Sequence, residues 1–393
     1  MIRRPPRSTL SSSSAASDVY KRQVGNASIY LDYNATTPLR AEVKAELLDA
    51  LGEPNNPSSI HSLGRIARRR LEKSRRQIAT LINSPPENII FTSGGTEANN
   101  LALKGGQCTD IIVSSVEHEA VLAAAVNAKK ISVDKNGIVI LSELENVIAD
   151  INGDCFVSIM WANNETGVIQ PIKEIVEIAS KYGARVHSDA VQALGKIPIN
   201  FRESGLSMMS ISAHKIGGPT GIGALVIADD VELKPTLVGG GQEKGRRSGT
   251  ENILGAIGFG KAAEVVAQNP AENKRVQNLR DLFETKLSRC FPKVNILSQN
   301  VPRLGNTSAI VMPGVLAETQ VMSFDLEGIC LSAGAACSSG KVKRSHVVEA
   351  MKIGDEPATN TIRVSLGWDS TELEIDFLVN SWLKIYNRAN KKI

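Results

Sequence analysis

Within 393 residues, the pair best suited to covalent chemistry is Lys215, in Ser212-Ala213-His214-Lys215-Ile216-Gly217-Gly218-Pro219, and Asp189, which lies 26 residues before it. Each follows a short apolar run that reads as a buried strand. A lysine amine can form a Schiff base with an aldehyde, while a carboxylate can hold a pyridine nitrogen protonated so that the ring draws electrons. Together these are the demands of pyridoxal phosphate. Taken singly, a lysine is a solvated charge and an aspartate after a strand is a cap. A third segment shifts the balance: Ser93-Gly94-Gly95-Thr96-Glu97-Ala98-Asn99-Asn100 runs from small residues into a helical pattern. Free N–H groups at such a start, with the Thr96 hydroxyl, suit a phosphate. Alone, that turn reads first as chain punctuation.

One cysteine stands apart. Cys337 sits in Leu331-Ser332-Ala333-Gly334-Ala335-Ala336-Cys337-Ser338-Ser339-Gly340. A free cysteine is ordinarily a buried hydrophobe, but Gly, Ala and Ser pack poorly and bend easily, so this composition predicts a mobile loop presenting a nucleophile. Cys330, beside Ile329 and Leu331, fits the inert reading, and Cys108, Cys155 and Cys290 are read the same way. Five scattered cysteines without a C-x-x-C pair indicate neither a disulfide framework nor a zinc site. They point to a reducing, cytoplasmic compartment.

The elements that must position these residues follow from the apolar pattern. Strands are predicted at Ile89–Thr92, Ile111–Ser114, Cys155–Trp161, Arg185–His187, Met208–Ile211 and Ala224–Ile227, with amphipathic stretches such as Pro171–Tyr182 between several of them. Such alternation implies an α/β fold with a mainly parallel sheet covered on both faces. Ligands of such sheets gather beyond the carboxyl ends of the strands, which is where Asp189, Lys215 and the Gly94-Gly95 turn fall. Residues 262–290 read as one long polar helix. The expected division is therefore a large cofactor-binding domain over 28–261 and a small C-terminal domain over 262–393.

Composition limits the remaining possibilities. Apolar residues are 42% and charged residues 22%, as in soluble globular proteins, and no apolar run of about 18 residues suggests a membrane span. Of 45 basic and 41 acidic residues, five basic and one acidic fall within residues 1–23, so the rest is balanced. Nothing in that charge favours nucleic acid as a partner. Residues 1–23 lack the apolar segment of a secretory signal; rich in Arg and Ser, they read as a transit peptide or, preferably, as non-native adapter read-through.

Over Tyr30 to about Tyr386 the sequence resembles the cysteine desulfurases (NifS/IscS-like) of the class V aminotransferase group. The motifs occur in order: Tyr30 to Pro38, Asn55 to His61, Thr92 to Asn100, Glu117-His118, Asn163-Asn164-Glu165-Thr166-Gly167, Asp189-Ala190-Val191-Gln192, Ser212 to Pro219, and Arg246-Arg247-Ser248-Gly249-Thr250. The resemblance implies fold type I of the pyridoxal 5′-phosphate enzymes, with a seven-stranded sheet and a smaller α+β domain carrying the Cys337 loop. It implies that Lys215 bonds the cofactor, that Asp189 pairs with the ring nitrogen, and that Gln192 lies near the ring hydroxyl. His118 would stack on the ring and move protons. Gly95, Thr96, Ser212 and His214 would hold the phosphate, with Thr250 reaching it from the other subunit of a homodimer. Asn164, near the cofactor, and Arg363 would bind the carboxylate of L-cysteine. Cys337 would accept the sulfur as a persulfide, leaving L-alanine, and pass it to an iron–sulfur scaffold or a sulfur carrier. No metal site is expected, although Cys337 could bridge to a cluster held by a partner.

Ala333 stands where a serine is frequent in the family, and Val191 where a threonine is common. The ending at Lys391-Lys392-Ile393, without a longer scaffold-contacting tail, leaves the acceptor open. Other members of the group, such as a selenocysteine lyase or an aminotransferase-like enzyme, remain alternatives, as does a silent partner-binding subunit.

Overall fold

The computed structural model describes residues 28–54, 56–334 and 344–390. The leader and Cys337 therefore lie outside the described residues.

The first strand, β1 (Ile29–Tyr30), is followed by α1 (Ala41–Ala50) and α2 (Ser62–Ile82). Helix α2 is amphipathic: Leu71, Arg75, Ile78 and Ile82 recur at helical spacing and are buried. Then come β2 (Ile89–Thr92), α3 (Gly95–Gly105), β3 (Asp110–Ser114), the short α4 (Glu119–Leu122), β4 (Lys129–Ile131), α5 (Leu141–Ala149), β5 (Cys155–Ser158), α6 (Ile172–Lys181), β6 (Arg185–Asp189), the short α7 (Phe201–Ser204), β7 (Met208–Ser212) and β8 (Gly223–Ile227). These strands form one seven-stranded sheet in the order β2-β8-β7-β6-β5-β3-β4. Only β8 is reversed in direction, pairing antiparallel with β2 on one side and β7 on the other.

Side-chain alternation divides the sheet's residues between two faces. Phe91, Ile112, Val157, Met209 and Val226 join a cluster with α2, α5 and α6. Ile90, Val113, Phe156, Met208 and Leu225 join another with α3. Burial on both faces explains why these strands are nearly continuous apolar runs. Strand β4 escaped the sequence reading because its exposed Lys129 and Lys130 suit an edge. Strand β5 is shorter than expected, since past Ser158 the Met160 N–H is taken by the Glu117 side chain at 2.9 Å.

The stretch read as one helix over 262–290 is two: α8 (Ile253–Gln268) and α9 (Ala271–Cys290). The break falls at Asn269-Pro270, where proline cannot continue the i→i−4 ladder. The expected boundary at 262 lies inside α8, whose Phe259 and Ala263 both sit in the large cluster. The change of core comes with α9, whose Val276, Leu279, Phe283 and Leu287 pack in a second cluster. That cluster gathers around an antiparallel sheet made by β9 (Asn295–Ile296), β10 (Thr307–Val311), β12 (Ser332–Ala333) and β13 (Thr361–Ser365). Helices α10 (Ala317–Leu326), α11 (His346–Ala350), α12 (Asp355–Asn360) and α13 (Glu372–Asn390) complete the chain. Strand β11 (Ile329–Cys330) pairs in parallel with β1, which brings Ile29 and Leu31 into this second cluster. A sequence-order boundary could not show that return of the N-terminal strand.

Candidate active site

Asp189 ends β6 and Lys215 follows the adjacent β7 on a single 3-10 turn. Asp189 is 6% exposed; its Oδ2 accepts from Asn99 Nδ2 at 2.7 Å and Oδ1 from the Val191 N–H at 3.0 Å. Lys215 Nζ donates to the carbonyls of Asn34 and Ala35 at 2.6 and 2.7 Å. The segment that offers those carbonyls is fastened over the lysine turn. Thr37 Oγ1 accepts from the Gly217 N–H at 2.8 Å, and the Arg40 N–H donates to the Gly217 carbonyl at 3.0 Å. Gly217 has φ +88° there, a conformation that favours glycine.

Behind the lysine lies a buried polar network. Gln192 Nε2 donates to Asn34 O at 2.9 Å, and Lys196 Nζ bridges Gln192 Oε1 at 2.6 Å and Asn34 Oδ1 at 2.9 Å. Asn34 Nδ2 reaches Thr307 Oγ1 at 2.9 Å and the Asn164 carbonyl at 3.2 Å, tying the network to β10. On β13, Arg363 donates from Nη1 to Asn164 O at 3.0 Å and from Nη2 to Asp32 Oδ1 at 2.7 Å. Ser332 Oγ holds the other Asp32 oxygen at 2.7 Å. The Arg363 Nε–H is buried and has no partner among the described residues.

The cations dominate the local field. Burial pushes the Lys215 amine down to about 8, and Arg363 adds to the shift while Asp32 and Asp189 oppose it. Lys196 is driven well below the usual lysine range by burial, then by Lys215 and Arg363. His214, whose Nδ1 lies 3.2 Å from Thr36 Oγ1, falls to about 4 through burial and the two lysines. Such a histidine is neutral near pH 7. Across the site, burial raises the Glu117 carboxyl to about 8 against the hydrogen bonds from Ser114 Oγ and Met160 N, with Asp189 adding to the rise.

The turn after β2 is open in front. Gly94 has φ +154°, and a Cβ there would have no atom within 4 Å, whereas one on Gly95 would lie 2.8 Å from Val191 Cγ2. Thr96 is exposed at the start of α3, and the first N–H groups of the helix lack intrahelical partners. Ser212 is buried, with Oγ donating to Ile222 O at 3.5 Å. His118 caps α4, its Nδ1 accepting from the Ala120 N–H at 3.1 Å, and its ring is exposed. Thr250 is exposed too, next to a loop anchored by Arg247 Nε to Glu97 Oε1 at 2.8 Å. The structure thus gathers Lys215, Gln192, Asn164 and Arg363 around Asn34, with Asp189 near enough to act on the Lys215 amine, whereas Thr250 shares no hydrogen bond with them among the described residues. Cys108 and Cys330 are partly buried and Cys155 is buried, but Cys290 is exposed at the end of α9, contrary to the buried reading.

The Aminotransferase class-V family matches residues 29–378. Cysteine desulfurase 2 of Trichormus variabilis is 42% identical over 362 residues, covering 88% of this chain and 90% of that protein. The chain belongs to the cysteine desulfurases of that family. The desulfurase IscS of Dictyoglomus turgidum is 40% identical, over 90% of this chain and 93% of its own. Among solved structures, a NifS-like protein from Rickettsia africae superposes with a TM-score of 0.86 at 41% identity, covering 92% of this chain and 99% of that one.

Several residues of this desulfurase site carried no assigned role in the sequence reading. Asp32, Asn34, Asn99 and Glu165 occur within recognised motifs but look like loop caps there. Lys196 had no motif at all; its spacing of four from Gln192 was the one available signal.

Proposed function

We propose that this desulfurase binds pyridoxal 5′-phosphate, converts L-cysteine to L-alanine, and passes the sulfur through a Cys337 persulfide to an acceptor protein. The observation that carries the reading is the placement of Lys215 and Asp189 beyond the ends of adjacent strands, with the lysine amine shifted down to about 8. The residues present fit the cofactor. The open space before Gly94 and the helix start admit a phosphate. Asp189 offers a fixed, buried carboxylate for a ring nitrogen. The cluster of Lys196, Lys215 and Arg363 favours anions, and the partnerless Arg363 Nε is a donor for a substrate carboxylate.

Bound there, pyridoxal 5′-phosphate supplies an electron sink for negative charge at the substrate Cα. In this reading Lys215 would hold it covalently, Asp189 and Gln192 would orient its ring, and Thr96, Ser212 and His214 would hold its phosphate. Asn164 and Arg363 fix the substrate carboxylate, the guanidinium being pre-aimed by Asp32. Released when the substrate amine takes its place, a Lys215 amine shifted down to about 8 would be partly neutral at pH 7, and its Nζ could then take the Cα proton. His118 Nε2, with no hydrogen bond among the described residues, would move a second proton. The Cys337 thiolate then attacks the substrate sulfur. An S–S bond forms as Cβ–S breaks, and the carbon fragment keeps the electron pair and is protonated to alanine.

Exposed apolar side chains at Leu48, Leu51, Ile60 and Val238 support a homodimer in which Thr250 completes the neighbouring site. An iron–sulfur scaffold or a sulfur carrier would be the acceptor, in a cytoplasmic setting. The deciding experiment is Cys337→Ser: cysteine should still perturb the cofactor spectrum, while alanine formation and persulfide fall together to background. Mass spectrometry of the unaltered enzyme given cysteine should find an added sulfur on the Cys337 peptide; its appearance on Cys330 instead would refute the assignment.

A further inference from the structure

Glu165 is buried, 4% exposed, in the turn Asn163–Gly167, where its N–H and that of Thr166 donate to Asn163 Oδ1 at 2.9 Å. Its Oε2 accepts from the Ser345 hydroxyl at 2.5 Å. A Cβ on Gly334 would come within 2.5 Å of the same oxygen, so the chain leaving β12 packs on this carboxylate and a methyl there would have to displace it. Ser345 also accepts from the Val348 N–H at 3.0 Å and starts α11, while the Gly334 N–H donates to Thr361 O at 3.4 Å beside β13. In sequence, Gly334 and Ser345 flank the stretch that contains Cys337. On its other side the turn offers the Asn164 carbonyl to Arg363 and Asn34.

We propose that Glu165 is a positioning residue for sulfur transfer, tying both flanks of the Cys337 stretch to the turn that carries Asn164 and holds Arg363. The inference rests on the reading of Arg363 as the carboxylate site and Cys337 as the sulfur acceptor. Burial raises the Glu165 carboxyl, offset by the Ser345 hydroxyl and then by His346, Arg363 and His118. A buried carboxylate is costly unless it is hydrogen-bonded, and Ser345 supplies such a bond here. What it adds here is direction: one oxygen holds the residue that starts α11 and lies against the glycine where β12 is left. Nucleophilic transfer is steep in such placement, since a 1 Å error can cost on the order of 100-fold.

The cofactor-loaded enzyme is compared with Glu165→Gln, Ser345→Ala and Gly334→Ala. The last leaves the α11 cap intact and adds only a methyl against Glu165, so it also serves if Glu165→Gln does not fold. Cofactor content, KM for cysteine and the spectral change on adding cysteine should match the unaltered enzyme, while single-turnover persulfide formation falls about tenfold or more. Without substrate, the alkylation rate of the Cys337 thiol by iodoacetamide, resolved by peptide mass spectrometry, should change in the same variants. Ser345→Thr, which keeps the hydroxyl, should restore both readouts. Persulfide formation at the unaltered rate in Glu165→Gln and Gly334→Ala, or a loss that follows lost cofactor or raised KM, overturns the inference. Failure of the underlying reading looks different, because Cys337→Ser would then still transfer sulfur.

Discussion

Asn99 donates its amide to Asp189 Oδ2 at 2.7 Å, so the carboxylate at the end of β6 is aimed by a side chain of α3. The contact joins the helix that begins at the Gly94-Gly95 turn to the strand end beside Lys215. Cofactor phosphate and ring nitrogen would therefore be held by one rigid unit.

Replacing Asn99 by Ala should leave a buried carboxylate oxygen short of a donor, at a cost of about 1–3 kcal/mol. Thermal unfolding of the cofactor-free protein and the cofactor dissociation constant should both register it. Unchanged cofactor affinity would show that Asp189 does not need this aim.

The Lys215 amine should become nucleophilic near pH 8. At pH 7 roughly a tenth would be neutral, against about one in 3,000 for an ordinary lysine. Cofactor added to stripped protein across pH, trapped with borohydride on the Lys215 peptide, should give attachment rates that rise with a midpoint at about 8. The sign for stability follows. A lysine with a lowered folded pKa binds fewer protons folded than unfolded, so the stripped protein should gain stability as pH climbs from about 8 to the unfolded value. A midpoint above 10 would contradict the burial of this amine.

Asp32 balances Arg363 and also raises the Lys215 pKa. Asp32→Asn should therefore move the attachment midpoint below about 8. Asp32 is partly buried and Arg363 buried, so losing one partner of the pair should lower the melting temperature as well. An upward shift of the midpoint would mean that another charge controls the lysine.

Arg75 and Glu243 form a buried two-pronged ion pair at 2.8 Å for each prong, and Glu243 Oε2 also accepts from the Phe91 N–H at 3.0 Å. The pair holds Glu243 and Lys244 at left-handed φ of +47° and +57°, in the segment leading to Thr250. Arg75→Ala and Glu243→Ala should each cost about 3–5 kcal/mol, and the double variant clearly less than the sum. Strict additivity in denaturant unfolding would show that the two groups do not act as a pair.

The parallel sheet was legible in the chain itself, because strands buried on both faces must be apolar runs and their ends must carry the polar residues. Lys215 and Asp189 were legible for the same reason. Roles that depend on a single contact were not. Asn34 meets Lys215 across 181 positions, Glu165 meets Ser345 across 180, and Asp32 meets Arg363 across 331. No local periodicity encodes separations of that size. The N-terminal strand's place beside β11, the break at Asn269-Pro270 and the depressed Lys215 amine are likewise products of packing. Burial and neighbouring charge set a pKa, and both exist only once distant segments have closed over the side chain. Residue type at the strand ends thus determined which chemistry was possible, and tertiary contact decided which polar groups hold it in place.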